Sequence, residues 1–331
     1  MVYSLFQAFV HLSTAYCRCE LDVLEEKLYP AVHKPQKIMD IVDWMDDDML
    51  RYLEPKIIVS EPNTYSYTKA ITEDLVADFS NRMPIAIGRP SIVTSAWKEP
   101  MPGWVDNMNG PTGLLIGSGK GKHSIRFAFQ FLRRHADDAT HIPQFCWGCQ
   151  LGGWNSYYRR APKEMRIFNI TLSGVQKITW KEVIETGRKL VNTYPFTIAL
   201  WYPGGTIKSY WLSHQLCLFF THILPAYLVD MLLFLLGKKT FMVNVQKRIS
   251  HGLGVIQFYT TKEWHFKNTN FLSLQKRVSP EENEIFYTDV SSLNKDDYLR
   301  DYVLGARQYV CKEDPASLPR ARRLHKMLVY K

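Results

Sequence analysis

The chain has 331 residues, 46% of them apolar and 22% charged, and a formal charge of +9. That length and apolar content support one large domain or two smaller ones with a substantial core, and exclude the disordered and fibrous classes. Basic residues cluster at Lys238–Lys239 and at Arg320, Arg322, Arg323 and Lys326 without any aromatic-basic module or helix-turn-helix pattern. Nucleic acid is therefore not an expected partner, whereas anionic lipid or a polyphosphate cofactor suits the charge.

Met1 to Val10 has neither the basic start nor the apolar length of a secretory signal. The stretch from Ala8 to Tyr16 reads as a short apolar strand that ends in two hydroxyl residues, Ser13 and Thr14. At the carboxyl end of a parallel strand such hydroxyls face the crevice where an α/β sheet binds its ligand. Either could hydrogen-bond a substrate carbonyl oxygen; the plainer reading of a Ser-Thr pair is a cap or turn. From Glu20 to Arg51 the composition is charged, which predicts a surface excursion with short helices, its Asp46-Asp47-Asp48 run being a solvated face.

Pro62 and Asn63 predict a helix start, because Ile71, Leu75, Val76 and Phe79 then recur at helical spacing. Tyr65 and Lys69 are four residues apart and so share one face of that helix. An ammonium beside a phenol lowers the phenol's pKa from about 10, and the phenol can then give a proton to an oxygen whose carbon is receiving a hydride. Alone, such a pair is equally a feature of a surface helix. Pro84 to Val93 reads as the next strand, and the order strand, helix, strand is that of a doubly wound α/β domain.

Trp97 to Gly113, rich in Pro, Gly, Trp and Asn, predicts a rigid loop able to line a pocket. Gly117-Ser118-Gly119-Lys120-Gly121 lacks the spacing of a Walker loop and is read as a turn. Cys146 and Cys149 have ligand-like spacing, but no second such pair follows; free thiols in a reducing compartment, with no metal, are expected.

Arg166 to Thr171 reads as a late strand, and a helix opens at Ile178-Thr179-Trp180 and runs through Leu190. The composition shifts after Pro203-Gly204-Gly205, which places a boundary between residues 1–205 and a helix-rich remainder, 206–331. Leu216 to Leu236 has the length of a bilayer-spanning helix and is followed by Gly237-Lys238-Lys239. His222, Pro225 and Asp230 within it count against a simple lipid-exposed span, so a buried helix hairpin, insertion and interfacial docking all stay open. Further on, Tyr298, Tyr302 and Tyr309 form an aromatic stripe of the kind that belongs to a core.

Several stretches together resemble the alcohol-forming fatty acyl-CoA reductases, particularly the insect branch. The matching pieces are Phe9 to Cys17, Pro62 to Ala70, Gly88 to Gly113, Leu224 to Lys239, Gln257 to Lys267 and Tyr298 to Pro315. The resemblance implies an incomplete Rossmann-like domain of the extended short-chain dehydrogenase/reductase type, residues 1–205, followed by a helical C-terminal domain, residues 206–331. It implies reduction of a long-chain fatty acyl-CoA by NADPH, through an aldehyde, to a primary alcohol. By position Tyr65 is the proton donor, Lys69 its electrostatic partner and a holder of the nicotinamide ribose, and Thr14, or alternatively Ser13, the group that binds the carbonyl oxygen. Tyr65, Lys69 and Arg89 are the expected cofactor contacts. Family members sit at endoplasmic reticulum or peroxisome membranes, in keeping with the Leu216 to Leu236 run, and the resemblance leaves room for a homo-oligomer.

Two departures accompany it. The family's opening strand and glycine-rich turn, which receives the cofactor pyrophosphate, have no counterpart here, since the first glycine of the chain is Gly88. Between Lys122 and Arg160 the family pattern is replaced. A second reading follows, in which the chain is a catalytically inactive, membrane-associated partner of a complete reductase. A sugar-nucleotide epimerase or steroid dehydrogenase would share the Ser/Thr, Tyr, Lys set, but not a helical C-terminal domain.

Overall fold

The computed structural model describes residues 9–59, 61–120, 145–146, 165–172, 175, 180–197, 219–247, 250, 258–259, 262–276, 279–281 and 292–329. In chain order the elements are β1 (Phe9–Leu12), β2 (Val23–Leu24), α1 (Pro35–Trp44), α2 (Asp47–Ile57), α3 (Thr64–Ala77), β3 (Ile85–Pro90), β4 (Ile92–Val93), α4 (Gly110–Gly119), β5 (Phe145–Cys146), β6 (Arg166–Ile170), α5 (Trp180–Thr193), α6 (Leu224–Leu235), β7 (His265–Phe266), α7 (Thr269–Gln275), α8 (Lys295–Gly305) and α9 (Leu318–Val329). They fall into two compact units. One comprises Met1–Val93, Pro143–Lys177 and Trp264–Ser292; the other comprises Thr94–Ile142, Ile178–Glu263 and Leu293–Lys331. Each unit draws on segments from both sides of residue 205.

In the first unit β1, β3 and β6 form an all-parallel sheet with β3 in the centre. A central parallel strand is covered on both faces, which is why Ile85, Ala86 and Ile87 run together without polar alternation and are all buried. The register pairs Val10 with Ala86 and His11 with Ile87, so residues of the two strands share faces pairwise. On one face Ala86, Phe168 and Ile170 pack with Leu274 and Phe271 of α7 and with Val10. The opposite face, carrying His11, Ile87 and Arg89, meets α3. The predicted order of strand, helix and strand is thus present as β1, α3 and β3 in parallel. Beyond β1 the pairing continues, the Ser13 amide donating to the Gly88 carbonyl at 2.8 Å and the Ala15 amide to the Pro90 carbonyl at 2.9 Å.

The acidic run after α1 has a more definite task than solvation. Asp46 caps α2, accepting from the amides of Asp48 and Met49 at 3.0 and 2.9 Å, while Asp47 and Asp48 occupy its first turn, where the helix dipole favours negative charge.

In the second unit α8 supplies Tyr298 and Tyr302 of the expected aromatic stripe to the interior, whereas Tyr309 lies beyond α8 and is half-buried. The Tyr298 hydroxyl is 2.7 Å from the Thr94 hydroxyl, and that of Tyr302 is 2.7 Å from the Thr112 hydroxyl. Burial pushes both phenols up, Tyr298 to about 12. Gly305 lets α8 pass against the loop after β4, for a Cβ there would lie 1.8 Å from the Gly103 carbonyl oxygen. Gly117, Ser118 and Gly119 lie in α4 rather than in the predicted turn, whose Gly121 is outside the described residues, and a Cβ at Gly119 would collide with the Phe196 ring at 2.3 Å. Glycine here serves close packing.

Leu216–Leu218 and Cys149 lie outside the described residues, and of the apolar run 219–236 only a 12-residue helix, α6, is continuous α-helix. That is about 18 Å of rise, short of a bilayer's hydrocarbon thickness. Among the described residues no helix is long and apolar enough to cross a membrane. Ala226 is the only buried side chain of α6, whereas Tyr227, Leu228, Met231, Leu232, Phe234 and Leu235 are exposed. Asp230, the carboxylate at odds with this run, accepts from the amides of Phe241, Met242 and Val243 at 3.0, 2.8 and 2.9 Å and so caps the helical residues 242–247. Burial would raise its pKa, but the three amides outweigh that and hold it below the usual carboxylate value.

Candidate active site

Asn63 takes an extended conformation, and its side chain accepts from the Ser66 amide at 3.1 Å, which fixes the first turn of α3 one residue before Tyr65. Ser66, Tyr67, Ala70, Ile71 and Glu73 are the buried positions of α3. Tyr65 is 53% exposed, and Lys69, one turn on, is partly buried. The Lys69 ammonium donates to the Leu12 carbonyl at 2.8 Å. That bond holds it at the carboxyl end of β1, next to the two hydroxyl residues.

Ser13 and Thr14 are both 3% exposed. The Thr14 hydroxyl accepts from the Tyr16 amide at 3.3 Å, a local turn contact, whereas the buried Ser13 hydroxyl has no hydrogen-bond partner among the described residues. Two further buried polar atoms, His11 Nε2 and Ser91 Oγ, likewise have none among the described residues. His11 shares the α3-facing side of β1 with Ser13, two residues apart, and burial together with the neighbouring Lys69 charge lowers its pKa, Glu73 opposing. Period-two alternation from Ser13 could have flagged His11. Ser91, just past β3, carries no signal in the sequence.

Arg89 does not present itself to a ligand. It is fully buried, and its guanidinium makes a two-point ion pair with Glu73 of α3, Nε to one carboxylate oxygen at 2.8 Å and Nη2 to the other at 2.6 Å. Nη1 donates to the Glu25 carbonyl and Nη2 to the Lys27 carbonyl, each at 3.1 Å. The residue expected to contact the cofactor is engaged here in internal bonds through each of its three nitrogens.

Lys69 of α3 is thus tied to the carboxyl end of β1, where Ser13 and Thr14 stand, and Tyr65 lies one turn away on the same helix. Two family models, both described as male sterility protein and the first of them NAD-binding, match residues 3–133 and 221–313. The chain is 33% identical over 317 residues to fatty acyl-CoA reductase 1 of Xenopus laevis, covering 96% of this chain and 61% of that protein. It is 34% identical over 326 residues to fatty acyl-CoA reductase 2 of Homo sapiens, covering 97% and 62%. The chain belongs to the fatty acyl-CoA reductase family. A putative fatty acyl-CoA reductase of Drosophila melanogaster is 32% identical over 334 residues, covering 97% and 63%. These fatty acyl-CoA reductases are longer than this chain, which spans less than two thirds of each. The family is one of oxidoreductases, and its NAD-binding match, which contains Ser13, Thr14, Tyr65, Lys69 and Arg89, supports a nicotinamide cofactor and a Rossmann-like mixed α/β fold. Of the segment between Lys122 and Arg160, into which the NAD-binding match extends as far as residue 133, only Phe145–Cys146 is described.

Proposed function

We propose that the chain carries the carbonyl-reducing site of a fatty acyl-CoA reductase that uses NADPH to convert a long-chain acyl-CoA, through the aldehyde, into a primary alcohol. The observation that supports it most is the Lys69 ammonium tied to the Leu12 carbonyl, which brings the Tyr65 helix and the strand-end hydroxyls to one place. The residues present fit the nicotinamide-ribose end of the cofactor. Lys69 has donors beyond the one given to Leu12, and the Ser13 hydroxyl beside it is unpartnered among the described residues. Bound NADPH supplies the hydride. Tyr65 gives its phenolic proton to the carbonyl oxygen as that oxygen gains charge, and the Lys69 ammonium stabilises the phenolate left behind. Ser13, with its free hydroxyl, or Thr14 orients the carbonyl.

The exposed apolar face of α6, followed by Lys238 and Lys239, supports docking of that helix in the interface of an anionic membrane such as the endoplasmic reticulum or peroxisome surface, without spanning it. Residues 1–87 contain no glycine, so the assay supplies NADPH and hexadecanoyl-CoA to the chain with and without a strand and glycine turn joined ahead of Met1. The expected result with the turn is hexadecanol, with two NADPH consumed for each CoA released. Absence of both aldehyde and alcohol in both forms contradicts the reading.

A further inference from the structure

Tyr65, Lys69 and Glu73 follow one another at four-residue intervals and so form a single stripe along α3. Glu73 is 2% exposed and lies one turn from the Lys69 ammonium, a spacing at which a carboxylate and an ammonium pair readily. In the structure Glu73 turns instead to Arg89, which engages both of its oxygens and is itself fully buried. Lys69 is thereby left to the Leu12 carbonyl at the mouth of β1. The other titratable groups around Glu73 are the Cys17 thiol, which burial and Glu73 push up, and His11 on β1, which feels both Lys69 and Glu73.

We propose that Arg89 is a positioning residue for the candidate site: by holding Glu73 in a buried two-point ion pair it fixes α3 against β3 and keeps the Glu73 carboxylate away from Lys69, leaving the ammonium to act on Tyr65. This rests on the assignment of Tyr65 and Lys69, and it reads Arg89 as acting through Glu73 rather than on a cofactor. Electrostatics gives the proposal a sign. Removing the Arg89 charge frees Glu73 to neutralise Lys69, so the phenol of Tyr65 should become a weaker acid. Removing the Glu73 charge leaves the Arg89 cation uncompensated, so the phenol should become a stronger one. Removing both should cancel.

The test is titration of the Tyr65 ring carbon by NMR between pH 7 and 11 in the whole chain, the signal being assigned by its loss in Tyr65→Phe. His11, lowered from 6.5, is neutral throughout that window. The expected pattern is an upward shift of about 1 pH unit in Arg89→Met, a downward shift in Glu73→Gln, and a return to the wild-type position in the double variant. Glu73→Gln keeps the size of the side chain and one of its two acceptor oxygens, so it carries the test if Arg89→Met fails to fold. Loss of thermal stability with the Tyr65 titration unmoved in Glu73→Gln would reduce the pair to a structural tie and overturn the proposal. Because this readout needs neither substrate nor cofactor, it succeeds or fails separately from alcohol formation.

Discussion

Glu61, two residues before the Asn63 cap, is 7% exposed, and burial together with the facing Glu20 carboxyl pushes its pKa from 4.5 up to about 8. A carboxyl raised in the folded state binds its proton there more tightly than in the unfolded chain, so the stability it contributes is present below pH 4.5 and is lost as pH rises to about 8. Melting temperature measured from pH 5 to 9 should fall less in Glu61→Gln than in the natural chain; parallel curves would show that Glu61 titrates normally. Residues of this kind mark the limit of what the sequence discloses. Tyr65 and Lys69 are legible because their spacing alone sets a shared helix side, and Ser13 and Thr14 because they end an apolar strand. The ion pair of Arg89 is not legible, because Glu73 stands sixteen positions earlier and only the β3 register with α3 above it brings the two together. His11 Nε2 and Ser91 Oγ stand out only through burial without a partner among the described residues.

At the scale of elements, hydrophobic pattern and capping chemistry locate α3 and β6 to within two residues, and the starts of β1 and β3 to within one, while β1 and β3 end four and three residues earlier than read. Glycine misleads in α4, because its role there is to admit the Phe196 ring rather than to turn the chain. In α6 the sequence showed an apolar run with an anomalous Asp230, and tertiary capping resolves the anomaly by spending that carboxylate on the amides of residues 241–243. If this exposed helix docks in a lipid interface, the chain should sediment with phosphatidylserine vesicles more than with phosphatidylcholine ones, Lys238 and Lys239 adding about 1 kcal/mol each. Leu232→Asp with Leu235→Asp should abolish the association. Unchanged sedimentation in that double variant would assign α6 to a protein contact instead.

Across the whole molecule, the chain folds as two units threaded through one another in sequence, a feature that composition along the chain does not reveal because each unit is assembled from three separate segments. The first unit keeps the parallel strands, α3 and the candidate residues together, so the proposed carbonyl reduction can be tested on a single set of side chains. Kinship with the fatty acyl-CoA reductases covers 96% of this chain at 33% identity in the Xenopus laevis comparison, while the geometry around Lys69 supplies the physical reason for assigning its site. The most direct test is hexadecanal reduction by Tyr65→Phe in the form of the chain that reduces hexadecanal, compared at saturating NADPH. A fall in kcat of about 10²–10⁴-fold is predicted, the usual worth of a positioned proton donor. Reduction at an undiminished rate would remove the phenol from the chemistry and contradict the account.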